Sequence, residues 1–349
     1  MILTKGYAVH NSTDRLAPWS FERRAVGTND IHIEILYCGV CHSDIHQVRS
    51  EWGPSRYPMV PGHEIVGRIA AVGSNVKKFS VGDLAGVGCM VNSCKECGNC
   101  KRGQQQYCEK GKTVWTYNSV EADGTTPTYG GYSNHIIANE DFVLHVSKNL
   151  PLDAVAPLLC AGITTYSPLR KWKIGKGHRV GVLGLGGLGH MAVKFAAAFG
   201  AEVTMLSTSS HKEADAKKLG AHYFCLTTDQ QQTRQRKNYF DFIIDTVSAP
   251  HDYNMYLRML RTNGVHICVG MPPAPIQITG AFLMGNNRAI TASSIGGIPE
   301  TQEMLDFCAE HNIVSDIELI NINYINEAYE RILKSDVKYR FVIDMKTPM

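Results

Sequence analysis

The 349-residue sequence carries little charge and concentrates none of it. Charged residues make up 19%, with Lys and Arg at 35 against Asp and Glu at 32, a net charge of +3 and a pI near 8.2. So mild a balance argues against nucleic acid or an anionic membrane surface as partner, and no basic run or charged tail stands out. No run of about 18 apolar residues suggests a membrane span. Met1-Ile2-Leu3-Thr4-Lys5 lacks the long apolar stretch of a signal peptide. There is no internal repeat and no low-complexity tract; Gln104–Gln106 and Gln230–Gln232 are too short to count as one. What is present is a 44% hydrophobic fraction, enough for sizeable cores, in a chain long enough for two domains of roughly 100–200 residues each. The eleven cysteines cluster at metal-ligand spacings in a long chain. That pattern fits a reducing cytoplasm and thiolate–metal bonds better than the disulfide framework of a small secreted protein.

The stretch from Cys38 to Glu64 organises the chain. It contains Cys41-His42-Ser43-Asp44-Ile45-His46 and, further on, Pro61-Gly62-His63-Glu64. Cys41 and His63 are ligands of the kind zinc takes, and Glu64 can add a carboxylate oxygen. Three protein ligands with one exchangeable position mark a catalytic zinc rather than a structural one. The third ligand must come from elsewhere, and Cys160, in the apolar segment Pro157-Leu158-Leu159-Cys160-Ala161-Gly162, is the best candidate. Asp44 is placed to accept the other ring N–H of His63 and fix its tautomer. Taken singly, Cys41 and Cys160 also read as small buried hydrophobes, as free cysteines often are.

Cys94-x2-Cys97-x2-Cys100-x7-Cys108 is the strongest single motif. Four thiolates at this spacing wrap one tetrahedral zinc and leave no position open, so the site would be structural. The intervening Lys, Glu, Gly, Asn and Gln residues are too polar to bury the cysteines as ordinary core. Alternatives are a pair of disulfides, an iron–sulfur centre and a zinc-ribbon binding module; the last lacks a basic stripe with interleaved aromatics.

From His178 the texture changes. His178-Arg179-Val180-Gly181-Val182-Leu183 reads as a strand, Gly184-Leu185-Gly186-Gly187-Leu188-Gly189 follows at once, and an apolar helix then runs to Gly200. Strand, Gly-rich turn and helix in this order form a dinucleotide-binding fingerprint, far more specific than the glycines alone. Further strands are expected at Glu202–Leu206, His222–Leu226, Phe240–Thr246, Gly264–Val269 and Ala289–Ser294. The fold class is therefore α/β, with a doubly wound Rossmann parallel sheet, beside a β-rich domain whose strands include Ile31–Tyr37, Ile65–Gly73 and Asp83–Gly88. Helices are expected over Cys41–Gln47, Leu152–Leu159, Glu300–His311 and Asn326–Ser335, and a closing strand over Tyr339–Met345. No carboxylate stands where an NAD-binding unit carries one; the strand from Glu202 ends in Ser207-Thr208-Ser209-Ser210-His211-Lys212. Hydroxyls at Ser207, Thr208 and Ser209 and the Lys212 ammonium suit a 2′-phosphate, so NADP(H) is the expected coenzyme.

The pattern Gly62-His63-Glu64-x2-Gly67-x5-Gly73, with both cysteine sets and the Gly-rich turn, resembles the zinc-dependent medium-chain alcohol dehydrogenases along essentially the whole chain. The likeness is nearest to the cinnamyl-alcohol-dehydrogenase-like aldehyde reductases. It implies a GroES-like catalytic domain over 1–160, with the structural-zinc lobe at about 90–112, an NADP-binding domain over 161–291, and a return to the catalytic domain over 292–349. It also implies two zinc ions per chain, a homodimer, a proton relay from Ser43 to His46 through the coenzyme ribose, a coenzyme-phosphate contact by Arg340, and a substrate pocket walled by Trp115. Ile295 and Ile298 offer a further apolar wall. The expected activity is interconversion of aldehydes, aromatic ones included, and primary alcohols by hydride transfer. A polyol or secondary-alcohol dehydrogenase on the same fold, and a non-catalytic zinc-and-nucleotide sensor, are the alternatives.

Overall fold

The computed structural model describes residues 1–346. The chain forms two compact units, one of Met1–Ile163 with Gly296–Met349 and one of Thr164–Ile295.

The first unit is built on a seven-stranded mixed sheet. Its central strand, Asp30–Gly39, places Ile31, Ile33 and Ile35 in the core by period-two alternation. A register shift between Ile35 and Tyr37 then breaks the alternation, so that Cys38 and Gly39 are both buried. Ile65–Val72 pairs with it antiparallel on one side, Cys38 opposite Ile65, and Arg340–Asp344 on the other, Ile343 opposite Cys38. That second pairing brings the C-terminal strand beside the His63-Glu64 pair. The sequence reading missed the hairpin of Ile2–Ala8 with Ala17–Arg23. Pro18 argues against a strand interior, but this two-stranded sheet leaves its other edge unpaired, where a missing N–H costs nothing.

The second unit holds a six-stranded, all-parallel sheet. Its strands lie in the order Tyr223–Leu226, Glu202–Ser207, Arg179–Leu183, Phe240–Asp245, Leu260–Cys268 and Ala289–Ala292. Numbered along the chain this is 3-2-1-4-5-6, the Rossmann order, whose switch point lies beside the first strand. The fifth strand begins at Leu260 rather than Gly264, because Leu260 pairs with Phe240 ahead of a register shift. Gln230–Gln235 is a short helix capped by the Asp229 side chain, which accepts from the backbone of Gln231 and Gln232. The glutamine run is therefore ordinary structure with a cap at its start.

Candidate metal and coenzyme sites

Cys41 caps the helix His42–Val48, and its backbone N–H donates to Asp44 Oδ2 at 2.9 Å. Asp44 is fully buried and accepts three more bonds: from the Gly62 N–H at 3.1 Å, the Tyr132 hydroxyl at 3.1 Å and His63 Nδ1 at 3.1 Å. A carboxylate at Nδ1 leaves the Nε2 lone pair of His63 free to ligate. Burial opposes a proton on His63, but the charges of Asp44 and Cys89 and the hydrogen bonds to Asp44 and Cys41 together outweigh it, so the imidazole pKa is raised; a metal at Nε2 competes with that proton. Tyr117 stacks on the His63 ring at 5.7 Å.

The ligand atoms of Cys41, His63, Glu64 and Cys160 lie within 4.8 Å of one another, all buried. Cys41 and Cys160 sulfurs are 3.9 Å apart. Tetrahedral Zn–S bonds of about 2.3 Å put sulfurs about 3.8 Å apart, so the spacing fits one shared ion. Glu64 Oε2 is buried without a hydrogen-bond partner, an acceptor that a cation would satisfy. Gly39 makes room for it, since a Cβ there would lie 1.9 Å from that oxygen. Burial pushes the Glu64 carboxyl up to about 8, against the opposing pull of Arg340.

Arg340 is buried rather than on the surface: it is 5% exposed, its guanidinium pairs with Glu64 Oε1, and its Nε–H has no hydrogen-bond partner. Ser43 Oγ lies 3.5 Å from Cys41 Sγ. His46, one turn further on, stacks between His42 at 4.9 Å and Trp52 at 4.7 Å and bonds through Nδ1 to the Glu51 carboxylate.

The four cysteines of the other set also converge within 4.8 Å. Cys94 and Cys100 sulfurs are 3.7 Å apart, and Cys97 and Cys108 sulfurs 4.0 Å, again the spacing of thiolates around one tetrahedral ion. Backbone N–H groups of Cys97 and Cys100 donate to Cys94 Sγ and Cys97 Sγ, as suits thiolates. Cys94, Cys97, Cys100 and Cys108 form no disulfide with one another, which speaks against the disulfide alternative.

In the second unit, Gly184 turns the chain with φ +88° and Gly189 allows a close crossing, where a Cβ would lie 1.8 Å from Gly184 O. Gly186 is exposed, with nothing within 4 Å of where its Cβ would stand, which leaves the backbone open to a pyrophosphate. Gly187 and Leu188 lead into the helix Gly189–Ala198. At the next strand end Ser207 is buried and its Oγ accepts from the Ser209 N–H at 3.1 Å, while Thr208 is exposed. Lys212 Nζ donates to Leu185 O at 3.2 Å, so the ammonium lies against the Gly-rich turn. Trp115 and Ile298 belong to the first unit and Ile295 to the second; Trp115 is 40% exposed.

A thiolate–imidazole–carboxylate metal cluster, a four-thiolate metal lobe and a Rossmann sheet together define a zinc- and dinucleotide-dependent dehydrogenase. Residues 27–148 match the alcohol dehydrogenase GroES-like domain, and residues 187–310 the zinc-binding dehydrogenase domain. The chain belongs to this zinc-binding alcohol dehydrogenase family. It is 53% identical over 344 residues to NADP-dependent alcohol dehydrogenase C 1 of Mycolicibacterium smegmatis, covering 99% of this chain and 98% of that one. Among solved structures it resembles a cinnamyl alcohol dehydrogenase of Sorghum bicolor, with TM-score 0.96 and 42% identity over 100% of this chain and 99% of that one. The CAD of Helicobacter pylori complexed with NADP(H) gives TM-score 0.94 and 48% identity, with coverage of 100% and 99%. Among the described residues no helix is long and apolar enough to cross a membrane.

Proposed function

We propose that this protein is a zinc-dependent, NADP(H)-linked alcohol dehydrogenase and aldehyde reductase that interconverts aldehydes, aromatic ones included, and primary alcohols. The observation that carries the reading is the convergence of Cys41, His63, Glu64 and Cys160 in one buried cluster, with Asp44 fixing the His63 tautomer. Bound there, zinc supplies a Lewis acid for the substrate oxygen, and the dinucleotide supplies or accepts hydride.

The chain's own residues do the rest. Cys41, His63 and Cys160 hold the metal, and Glu64, anchored by Arg340, is the ligand that exchanges with water or substrate. Ser43 stands beside Cys41 Sγ to take or give the substrate proton, and His46 exchanges it with solvent through a partly exposed ring. Cys94, Cys97, Cys100 and Cys108 hold the structural zinc and close their loop. Gly184, Gly186, Gly187, Leu188 and Gly189 carry the pyrophosphate, and Ser207, Thr208, Ser209 and Lys212 read the 2′-phosphate. A carboxylate at this strand end would repel that phosphate, and none is present. Trp115 and Ile298 offer flat or apolar walls for an aromatic substrate in the first unit, and Ile295 an apolar side chain in the second. The two-domain reading, 1–160 and 292–349 for catalysis and 161–291 for coenzyme, is supported by the division of the chain at Ile163 and Ile295. Free thiols at Cys41, Cys160 and the four-cysteine lobe suit a cytoplasmic enzyme, and light scattering would measure whether it is the homodimer that the family resemblance implies.

A panel of aliphatic and aromatic aldehydes assayed with NADPH and NADH tests the proposal. Benzaldehyde or cinnamaldehyde should be reduced with NADPH at least as efficiently as acetaldehyde. If sorbitol or 2-propanol outperforms every primary substrate, the enzyme is of the polyol or secondary-alcohol type.

A further inference from the structure

At the carboxyl ends of the fourth and fifth Rossmann strands, Asp245, His251 and His266 form a cluster with Cys268, apart from both cysteine sites. Asp245 is 1% exposed, and its Oδ2 lies 2.9 Å from His251 Nε2 and 3.0 Å from His266 Nε2. Its Oδ1 accepts the Val247 N–H at 3.0 Å, and its backbone carbonyl accepts from Val269 at 2.9 Å and Gly270 at 3.0 Å. One residue therefore ties together the loops that leave both strands. Val247 in turn packs on the Gly-rich turn: a Cβ at Gly184 would meet its side chain at 2.6 Å. Thr246 Oγ1, between them, donates to Leu183 O at 2.8 Å.

His251 has an unusual constraint. Its Nδ1 is 2.8 Å from the Ala249 carbonyl, an obligate acceptor, and its Nε2 faces the Asp245 carboxylate. Both ring nitrogens must donate, so the ring is an imidazolium when both bonds are made. It stacks on Tyr253 at 4.2 Å, a favourable place for a cation, and meets Tyr256 edge-on at 5.7 Å. Asp252 adds a second negative charge nearby; Cys268 and His266 complete the titratable groups around it.

We propose that His251, as an imidazolium bridging Ala249 and Asp245, is a positioning residue for the coenzyme. It orders the 246–252 loop that buttresses the Gly-rich turn, and makes coenzyme affinity depend on its protonation. This rests on the coenzyme reading given above. Burial works against the charge, but the bonds to Asp245 and the Ala249 carbonyl and the charges of Asp245 and Asp252 together outweigh it, so the His251 pKa is raised above the ordinary histidine value. Below that pKa the bridge is intact. As pH rises through it, the Nε2 lone pair comes to face a carboxylate and the bridge is lost. His266 needs only one proton for its bond to Asp245 and leaves Nδ1 without a partner, so it does not share the constraint. Asp245, His266 and Cys268 also lie within 4.8 Å of one another, as ligands of a third metal would. Protons on both imidazole Nε2 atoms already satisfy the carboxylate, so the place is held by protons rather than a metal.

The test is the NADPH dissociation constant, read by fluorescence from about pH 6 to 9 across the ordinary histidine range and above, in the zinc-loaded enzyme and two variants. In wild type the constant should rise with pH through the His251 transition. His251→Gln keeps a neutral donor to Asp245 and should give no such step. His251→Ala, which loses the bridge at every pH, should bind about tenfold more weakly at low pH, the scale of one charge-assisted bond. In both variants the KM for coenzyme should change with little change in kcat. A merely structural role would lower thermal stability yet leave the wild-type pH step in both variants, and that result overturns the proposal. A third zinc in wild type that is missing from Cys268→Ser overturns it in favour of a metal. If wild type binds neither NADPH nor NADH, it is the coenzyme reading that fails.

Discussion

Replacing Asp44 with Asn should release the catalytic zinc while the structural zinc stays. The carboxylate is fully buried and accepts four bonds, from Cys41 N, Gly62 N, Tyr132 OH and His63 Nδ1. An amide has nearly the same shape but only one acceptor oxygen, with two lone pairs, and its NH2 group would face donors. Two of the four donors are therefore orphaned, at about 1–3 kcal/mol each. A loss of about 2–6 kcal/mol is a large part of the roughly 5–15 kcal/mol that holds a protein folded. His63 also loses the partner that fixes its tautomer, and changes of this kind typically cost about 10–100-fold in metal affinity. Tyr132→Phe, by contrast, withdraws one donor and leaves the carboxylate three, so it should cost only about 1 kcal/mol. The assay is zinc release to a colorimetric chelator, followed with time, beside a thermal melt. Asp44→Asn should lose one zinc per chain rapidly and keep the other, with a lowered Tm; Tyr132→Phe should resemble wild type. Equal zinc release from Asp44→Asn and wild type would refute the reasoning, because Asp44 would then not be holding the ligand.

Four further outcomes are expected. Ser207→Asp should lower the ratio of kcat/KM with NADPH to that with NADH strongly, by like-charge repulsion; an unchanged ratio means the 2′-phosphate is not read there. His46→Ala should slow alcohol oxidation by about 10²–10⁴-fold with little effect on coenzyme binding, and part of the loss should return at high pH. Cys100→Ser should impair folding or solubility, since the loop cannot close without its fourth thiolate, and soluble yield with zinc content measures this. Burial alone would raise the Asp245 carboxyl, but hydrogen bonds from His251 and His266 outweigh it and hold its pKa below the ordinary value. Its stabilisation is present above the unfolded carboxylate pKa and is lost as pH falls through the lower folded one. Acid unfolding of Asp245→Asn should accordingly show a weaker pH dependence than wild type.

How far the sequence could be read depended on the distance over which each signal acts. The Gly-rich turn and the cysteine series are local: strand, turn and helix follow within a few residues, and Cys94 to Cys108 close a single loop. The six parallel strands showed as short apolar runs, and their order follows once the turn marks the first of them. The ion pair of Arg340 with Glu64 has no signal in the sequence, because the two lie 276 residues apart and only the pairing of the C-terminal strand with Asp30–Gly39 brings them together. Tyr132 and Tyr117, which pack around Asp44 and His63, both stand in loops with no periodic signal of their own. The Asp245 cluster was missed for another reason. Asp245 and Cys268 are opposite each other on neighbouring strands, and His266 is two residues back on the same face. Register reveals that, whereas spacing along the chain does not.

The central claim is a catalytic zinc held by Cys41, His63 and Cys160 in an enzyme with a second, structural zinc. Elemental analysis of protein purified without chelator, wild type beside Cys160→Ser, measures it most directly. Wild type should carry two zinc ions per chain, and a folded Cys160→Ser should carry one and no longer reduce aldehydes with NADPH. A wild type with one zinc and full activity, or a Cys160→Ser that keeps both ions and its turnover, would contradict it.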